Sequence, residues 1–321
     1  MTLWNAVPDA SDKDRAAALR DALARGNAIL ARVGPILTHL LATPDTSLFS
    51  DELVARIRAM CLDLSSQVLR AQAEATGEAG REAFAERHGE ALAEHFFSSP
   101  QVLSHCHALA LEWQLSARLE AQYGMDPVLS PVLQQLIASA DSSQASAAMA
   151  ALAAQARFAQ SQRRMELPLG ELPGDLFHEL LLGWRAFNGP RRSDAMVRAE
   201  AKLRNGFDES AGRLALLARL IAGMGDHARE ALDIEQAGVP LFLTALATGS
   251  RQSRSMAVLS TNAKQSARFA LGLRAAGLSG VEIENQVLRL HPSAEPIRGL
   301  ESLEPGEAAQ MLAEAGTLGI A

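Results

Sequence analysis

From position 50 onward the apolar residues Leu53, Ile57, Met60, Leu64 and Val68 recur every three or four positions. That spacing lines one face of an α-helix. Ser50 is a good N-cap, and Asp51 and Glu52 suit the positive end of the helix dipole. Upstream, an Ala- and Leu-rich helix over 11–25 is predicted to break at Gly26 and resume over 27–43, with a kink at Gly34 and Pro35. A third helix is predicted over 78–97. Ser99 and Pro100 open the next one, as cap and first-turn residue. It carries two apolar stripes, Val102, Cys106, Leu109 and Trp113 on one side and Leu111, Leu115 and Leu119 on the other. A helix apolar on both sides belongs in the middle of a bundle. Asp126 and Pro127 are predicted to open another helix. The Ser-rich stretch 139–146 reads either as a loop or as the start of an Ala-rich helix ending near Met165.

The clearest interruption is 166–174, which has two prolines and two glycines in nine positions and cannot continue a helix. Beyond it Phe177, Leu180, Leu181, Trp184 and Phe187 form a strong apolar face that stops at Asn188, Gly189 and Pro190. Helical patterns follow over 193–224 with a break near Gly206, then over 239–248, 255–276, 281–290 and 306–315. No strand pattern and no fixed-period repeat stands out. The reading is an all-α, multi-helix bundle of two helical subdomains without a significant β-sheet. The expected division is an N-terminal helical domain over 1–165, a linker at 166–171 and a C-terminal helical domain over 172–321.

With 48% hydrophobic and 21% charged residues, the chain is that of a packed protein. Aromatics are only 4%, so the cores must be built from Leu, Ala, Val, Ile and Met. Arg is far commoner than Lys, which occurs only at Lys13, Lys202 and Lys264; with the abundant Ala this matches a GC-rich bacterial genome. A formal net charge of −7 disfavours a whole-protein nucleic-acid binder. Cys61 and Cys106 lie in apolar helical patterns, as reduced core thiols do. The N-terminus lacks a basic stretch followed by an apolar run, and no apolar stretch approaches the roughly 18 residues that span a bilayer. A cytoplasmic protein without membrane insertion is expected.

Charge is unevenly spread. Residues 246–290 carry six cations, Arg251, Arg254, Lys264, Arg268, Arg274 and Arg289, against Glu282 and Glu284, a net +4. Residues 291–321 carry Arg298 against Glu295, Glu301, Glu304, Glu307 and Glu314, a net −4. The acidic tail can fold back on the basic segment, or the basic face, through Arg251, Arg254, Lys264, Arg268 and Arg274, can meet an acidic partner. The small residues Ala257, Ser260, Ala263, Ser266, Ala267 and Ala270 on the helix over 255–276 would let another helix approach closely.

Candidate chemistry is sparse. His88, His95, His105 and His107 cluster in sequence, and His95 and His105 can approach across a hairpin at 98–100. Two turns separate His88 from His95, roughly 10 Å along the axis, which is a poor pair for one ion. Neither an HExxH nor a Glu-x-x-His pattern is present, so no metal is expected and the histidines read as core or boundary residues. His178 and Glu179 faintly suggest a phospho-accepting histidine, but two adjacent polar residues on so amphipathic a helix mark its solvent side. The segment 269–290 has the rhythm of a helix-turn-helix with Gly277 in the turn. Asn285, Gln286 and Arg289 suit DNA reading, whereas Glu282 and Glu284 repel phosphate. Nucleophile elbow, Walker loop and dinucleotide fingerprint are absent, and no catalytic set or cofactor site can be assembled.

The stretches beginning at Leu214, Ala237 and Ala267, together with the Leu-Pro-Leu-Gly-Glu-Leu-Pro interruption, resemble an uncharacterised helical family of alphaproteobacteria, a domain of unknown function. The resemblance covers the C-terminal half at most. It implies helices and carries over no activity and no functional residue. The leading expectation is therefore a non-catalytic protein–protein interaction or regulatory module, its partner another protein or a second copy of the chain. A DNA-binding regulator using 269–290 and an enzyme without a recognisable motif are the alternatives.

Overall fold

A computed structural model describes residues 12–35, 37, 50–189, 193–295, 297 and 299–317. These residues are almost wholly helical and contain no strand. The all-α class holds. Among them, no helix is long and apolar enough to cross a membrane.

The chain divides into two compact units, one formed by Met1–Arg32 with Leu246–Ala321 and the other by Val33–Ala245. This differs from the division expected at 166–171, which lies inside the second unit. There Leu167 is fully buried. Its N–H donates to Asp63 Oδ2 at 2.9 Å, its carbonyl accepts from Gln67 Nε2 at 2.9 Å, and Leu169 N–H donates to Gln67 Oε1 at 2.9 Å. Prolines and glycines stop the helix at this point, but the side chains of Asp63 and Gln67 satisfy the freed backbone groups. A helix breaker marks the end of an element, and here the next element packs on the same core.

In the Val33–Ala245 unit, α1 of the other unit being described below, the central element is α2 (Asp51–Thr76). Its N-cap Ser50 accepts from Leu53 N–H at 3.3 Å, and Gly77 closes it at φ 75°. The whole predicted stripe from Leu53 to Val68 is buried. Against α2 pack α3 (Arg81–Phe97), α4 (Pro100–Tyr123) and α8 (Asp194–Asn205), and α7 (Gly174–Phe187) packs on α3 and α4. Trp184 of α7 is buried and donates its indole N–H to Gln72 Oε1 at 2.7 Å. The two-sided α4 lies inside the bundle as its stripes require. α5 (Pro131–Ile137), α6 (Ser142–Arg163) and α9 (Arg213–Gly223) complete the layer beside it; α5 starts at Pro131 under the cap Ser130 and not at Asp126 and Pro127 as expected, because Asp126 Oδ1 accepts from Val128 and Leu129 N–H and holds a turn there. The Ser-rich stretch begins α6, because Asp141 accepts from Ser143 N–H at 2.8 Å and caps the helix. α8 ends at Asn205, at the break expected near Gly206. α10 (Ile234–Ser250) bends at Gly238, whose φ of 66° is a left-handed conformation, and the unit boundary falls within this helix.

The other unit holds α1 (Asp12–Leu30), the end of α10, α11 (Arg254–Ser260), α12 (Ser266–Ala275), α13 (Gly280–Leu290) and α14 (Pro305–Thr317). Here α12 is central, touching α1, α11, α13 and α14. α1 runs straight through Gly26, where a break was expected. Glycine is needed because the Gln265 carboxamide occupies the position a Cβ would take and donates to Gly26 O at 2.7 Å. The expected continuation to position 43 lies largely outside the described residues. The helix expected over 255–276 is instead two, split by Thr261 and Asn262, and Ala257, Ser260 and Ala270 are buried within the unit. Ala263 is exposed and Ser266 and Ala267 are half-buried, so the small residues expected on one face are divided between core and surface.

Candidate functional site

The basic segment does not form one outward face. Arg251 and Lys264 are exposed and Arg254 is half-buried. Arg274, half-buried, donates to the carbonyls of Leu303 and Leu278. Arg268, expected among the outward cations, is 2% exposed. It lies on a stretch of α12 that is buried on every side, together with Phe269, Ala270, Leu271, Gly272 and Leu273.

Arg268 forms part of the wall of a groove of about 700 Å³ within the Met1–Arg32/Leu246–Ala321 unit. The end of α10 supplies Gly249 and Ser250, and α14 supplies its N-terminal residues Pro305 and Gly306 and the apolar Ala309 and Leu312. Gln252, Ser253 and Met256 line the turn into α11. Gly249 allows the close approach of α10 to α12: a Cβ there would meet the Cβ of Ala276 at 2.6 Å. Arg251 sits at the groove with φ 56°. It caps α10 in a left-handed conformation usually taken by Gly or Asn, at a cost of about 1–2 kcal/mol for an L-residue.

The polar network under the groove is neutral apart from the guanidinium. Arg268 Nη1 donates to Gln252 Oε1 at 2.6 Å, and Nη2 donates to Asn27 Oδ1. Asn27 in turn donates to Ala315 O, tying α1, α12 and α14 together. The Nε–H of Arg268 has no acceptor. Burial disfavours its charged form, but an arginine does not release its proton. Among the described residues, the groove is lined by two guanidinium groups, of Arg251 and Arg268, and by no carboxylate. The carboxylates of Glu307 and Glu314 line a neighbouring cavity of about 600 Å³ with Arg20.

The contrast in the Val33–Ala245 unit is Arg213. It is 1% exposed and lies over the Phe158 ring, 3.6 Å from the centroid. Its Nη1 and Nη2 donate to Glu112 Oε1 and Oε2 at 2.7 and 3.1 Å, and Nη1 also reaches Gln155 Oε1 at 3.2 Å. Glu112 is fully buried. This pair is internally balanced and fixes α9 to α4 and α6.

The histidines do not converge. His88 rests on the Phe84 ring at 4.7 Å, and exposed His95 meets Phe187 edge-on at 5.8 Å. His105 and His107 are buried on α4, and burial lowers His107 to a pKa of about 4. Among the described residues, no group of three His, Cys, Asp or Glu side chains is placed to hold a metal ion. Cys61 and Cys106 are buried with their sulfurs 4.0 Å apart, and the neighbouring thiol and burial push Cys61 well above the usual thiol range. His178 is exposed, its Nδ1 3.4 Å from an Arg204 nitrogen. The hairpin at 269–290 turns at Gly277, φ 97°, and Ser279 and Glu282 form a reciprocal capping box. Gln286 is buried, while Glu284 and Asn285 are exposed.

Pattern reasoning named Arg251 and Arg268 but missed Gln252 and Asn27. Neutral amides are ordinary surface residues in a linear reading, and only the fold brings Asn27 to a residue 241 positions away. No family model, no curated protein and no solved structure matches the chain.

Proposed function

We propose that the chain is a non-catalytic binding module, acting in the cytoplasm, whose α10–α12–α14 groove receives an anionic group carried by a protein partner. The observation that carries this reading is the lining of the groove, two guanidinium groups with no carboxylate among the described residues. A concave site with one sign of charge concentrates ligands of the other sign. Among the described residues its lining side chains include no histidine, lysine, cysteine or carboxylate to move a proton near neutral pH, which supports binding over acid–base catalysis.

The exposed Arg251 is the residue to reverse. Tagged wild-type chain and Arg251→Glu are incubated with extract of the native host, and the captured proteins are identified by mass spectrometry. A partner retained by wild type, released by added salt and lost with Arg251→Glu at unchanged melting temperature is expected. Equal capture by both chains removes the groove as the recognition site.

A further inference from the structure

Arg268 and Arg213 are equally buried arginines with opposite settings. Arg213 has a bidentate carboxylate, whereas Arg268 is shared between two neutral amides and keeps an N–H without an acceptor. A buried charge is unfavourable unless a countercharge accompanies it. One of the two amides, Gln252, is only half-buried and itself lines the groove. Its carboxamide oxygen therefore holds the position in which an anionic acceptor would meet the guanidinium from the groove side.

Taking the groove as the recognition site, we infer that it binds a monocarboxylate with a short apolar body, the carboxylate displacing the Gln252 carboxamide from Arg268. The exchange replaces a neutral acceptor by a charged one, and charge-assisted hydrogen bonds to arginine are roughly twice as strong as neutral ones. One negative charge matches one uncompensated buried cation. A phosphate dianion would bring a second charge for which only solvated Arg251 is at hand. Met256, Ala309 and Leu312 offer apolar surface to the body of the ligand. The volume of about 700 Å³ suits an acid of small-molecule size or the last residues of a peptide. The same carboxylate chemistry can thus come from a free organic acid or from the C-terminus of a partner.

The test is calorimetric titration of the full chain with four probes: hexanoate, hexanamide, the tripeptide Ala-Ala-Leu with a free carboxylate, and its C-terminal amide. Inorganic phosphate is a fifth. At least one carboxylate is expected to saturate one site, with its amide at least tenfold weaker and phosphate weaker than either acid. Hexanoate as the tighter acid assigns a free acid as the ligand, and the tripeptide as the tighter acid assigns a partner's C-terminus. Gln252→Glu puts a carboxylate on Arg268 from within, so it should raise the melting temperature and weaken the acid at least tenfold. Arg268→Met should abolish the response. Failure of both acids, equal binding of acid and amide, preference for phosphate, or undiminished affinity in Gln252→Glu overturns the inference. If the acids fail while Arg251→Glu still loses its partner, the recognition reading stands and only the ligand is wrong. If the acids bind but Arg251→Glu keeps its partner, the protein-partner reading falls instead.

Discussion

Replacing Glu112 with Gln leaves the Arg213 guanidinium with a neutral partner in a setting that water does not reach. Arg213 is 1% exposed and Glu112 fully buried, and two parallel hydrogen bonds of 2.7 and 3.1 Å join them. Each charge-assisted bond is worth about 1.5–3 kcal/mol net, and breaking a buried pair from one side costs about 3–5 kcal/mol. Glu112→Gln retains one amide acceptor and should fall at the lower end, near 3 kcal/mol. Arg213→Met strands a carboxylate and also removes the contact with Phe158, so it should lie at the upper end. The double variant Glu112→Leu/Arg213→Met, measured beside the single variants Glu112→Leu and Arg213→Met, swaps the pair for apolar side chains and is expected within about 2 kcal/mol of wild type. Urea unfolding followed by circular dichroism and by tryptophan fluorescence gives the cycle, with Trp113 and Trp184 reporting from the same unit. A coupling energy of roughly 3 kcal/mol or more is expected. Single substitutions that each cost under about 1 kcal/mol, or that add without coupling, would refute the claim that this pair locks α4 and α9 together.

Burial holds His107 at a pKa of about 4, below the 6.5 usual for a histidine. The unfolded chain therefore binds the proton first, and the stability contributed by the neutral imidazole is fully present above pH 6.5 and is lost as pH falls toward 4, by up to about 3 kcal/mol. His107→Leu should flatten that limb in melting temperatures measured from pH 7 to 4, and an unchanged limb would contradict it. Glu200, held to a pKa of about 2 chiefly by its hydrogen bond from Arg185, contributes stability present above about pH 4.5 and lost as pH falls through 2; Glu200→Gln should remove this component from an acid titration. Trp184→Phe keeps an aromatic ring but removes the pyrrole half of a buried indole and the N–H donor to Gln72 Oε1, for a loss of at least about 1–3 kcal/mol in urea unfolding, and no loss would show that Gln72 finds another donor and the core closes the gap. Arg251→Gly relieves the left-handed backbone at φ 56° and should hold or raise the melting temperature, by up to about 1 kcal/mol of stability, while weakening partner capture. A lower melting temperature would show that the Arg251 side chain supports the fold.

Helical periodicity carried most of this fold because its causes are local. Ser50 and Ser99 cap the helices they were expected to cap, and the stripe from Leu53 to Val68 is buried as its spacing requires. What sequence spacing could not carry was long-range compensation. The breaker residues at 166–174 end a helix, but whether a domain ends there depends on Asp63 and Gln67, about a hundred positions earlier. Gly26 reads as a helix breaker until Gln265 is found in its place. Arg268 belongs to a net-positive stretch and, counted along the chain, joins the outward cations. Its burial follows from the central place of α12 in its unit, between partners at positions 27 and 252. A helical bundle can bury an arginine in two ways, and this chain uses both. Where the fold supplies Glu112, the charge is balanced and the arginine serves structure alone. Where it supplies only the amides of Asn27 and Gln252, beside a groove with no carboxylate among the described residues, the missing countercharge is the feature that a ligand can provide. Function is therefore sought at Arg268, and stability at Arg213, on the same physical ground.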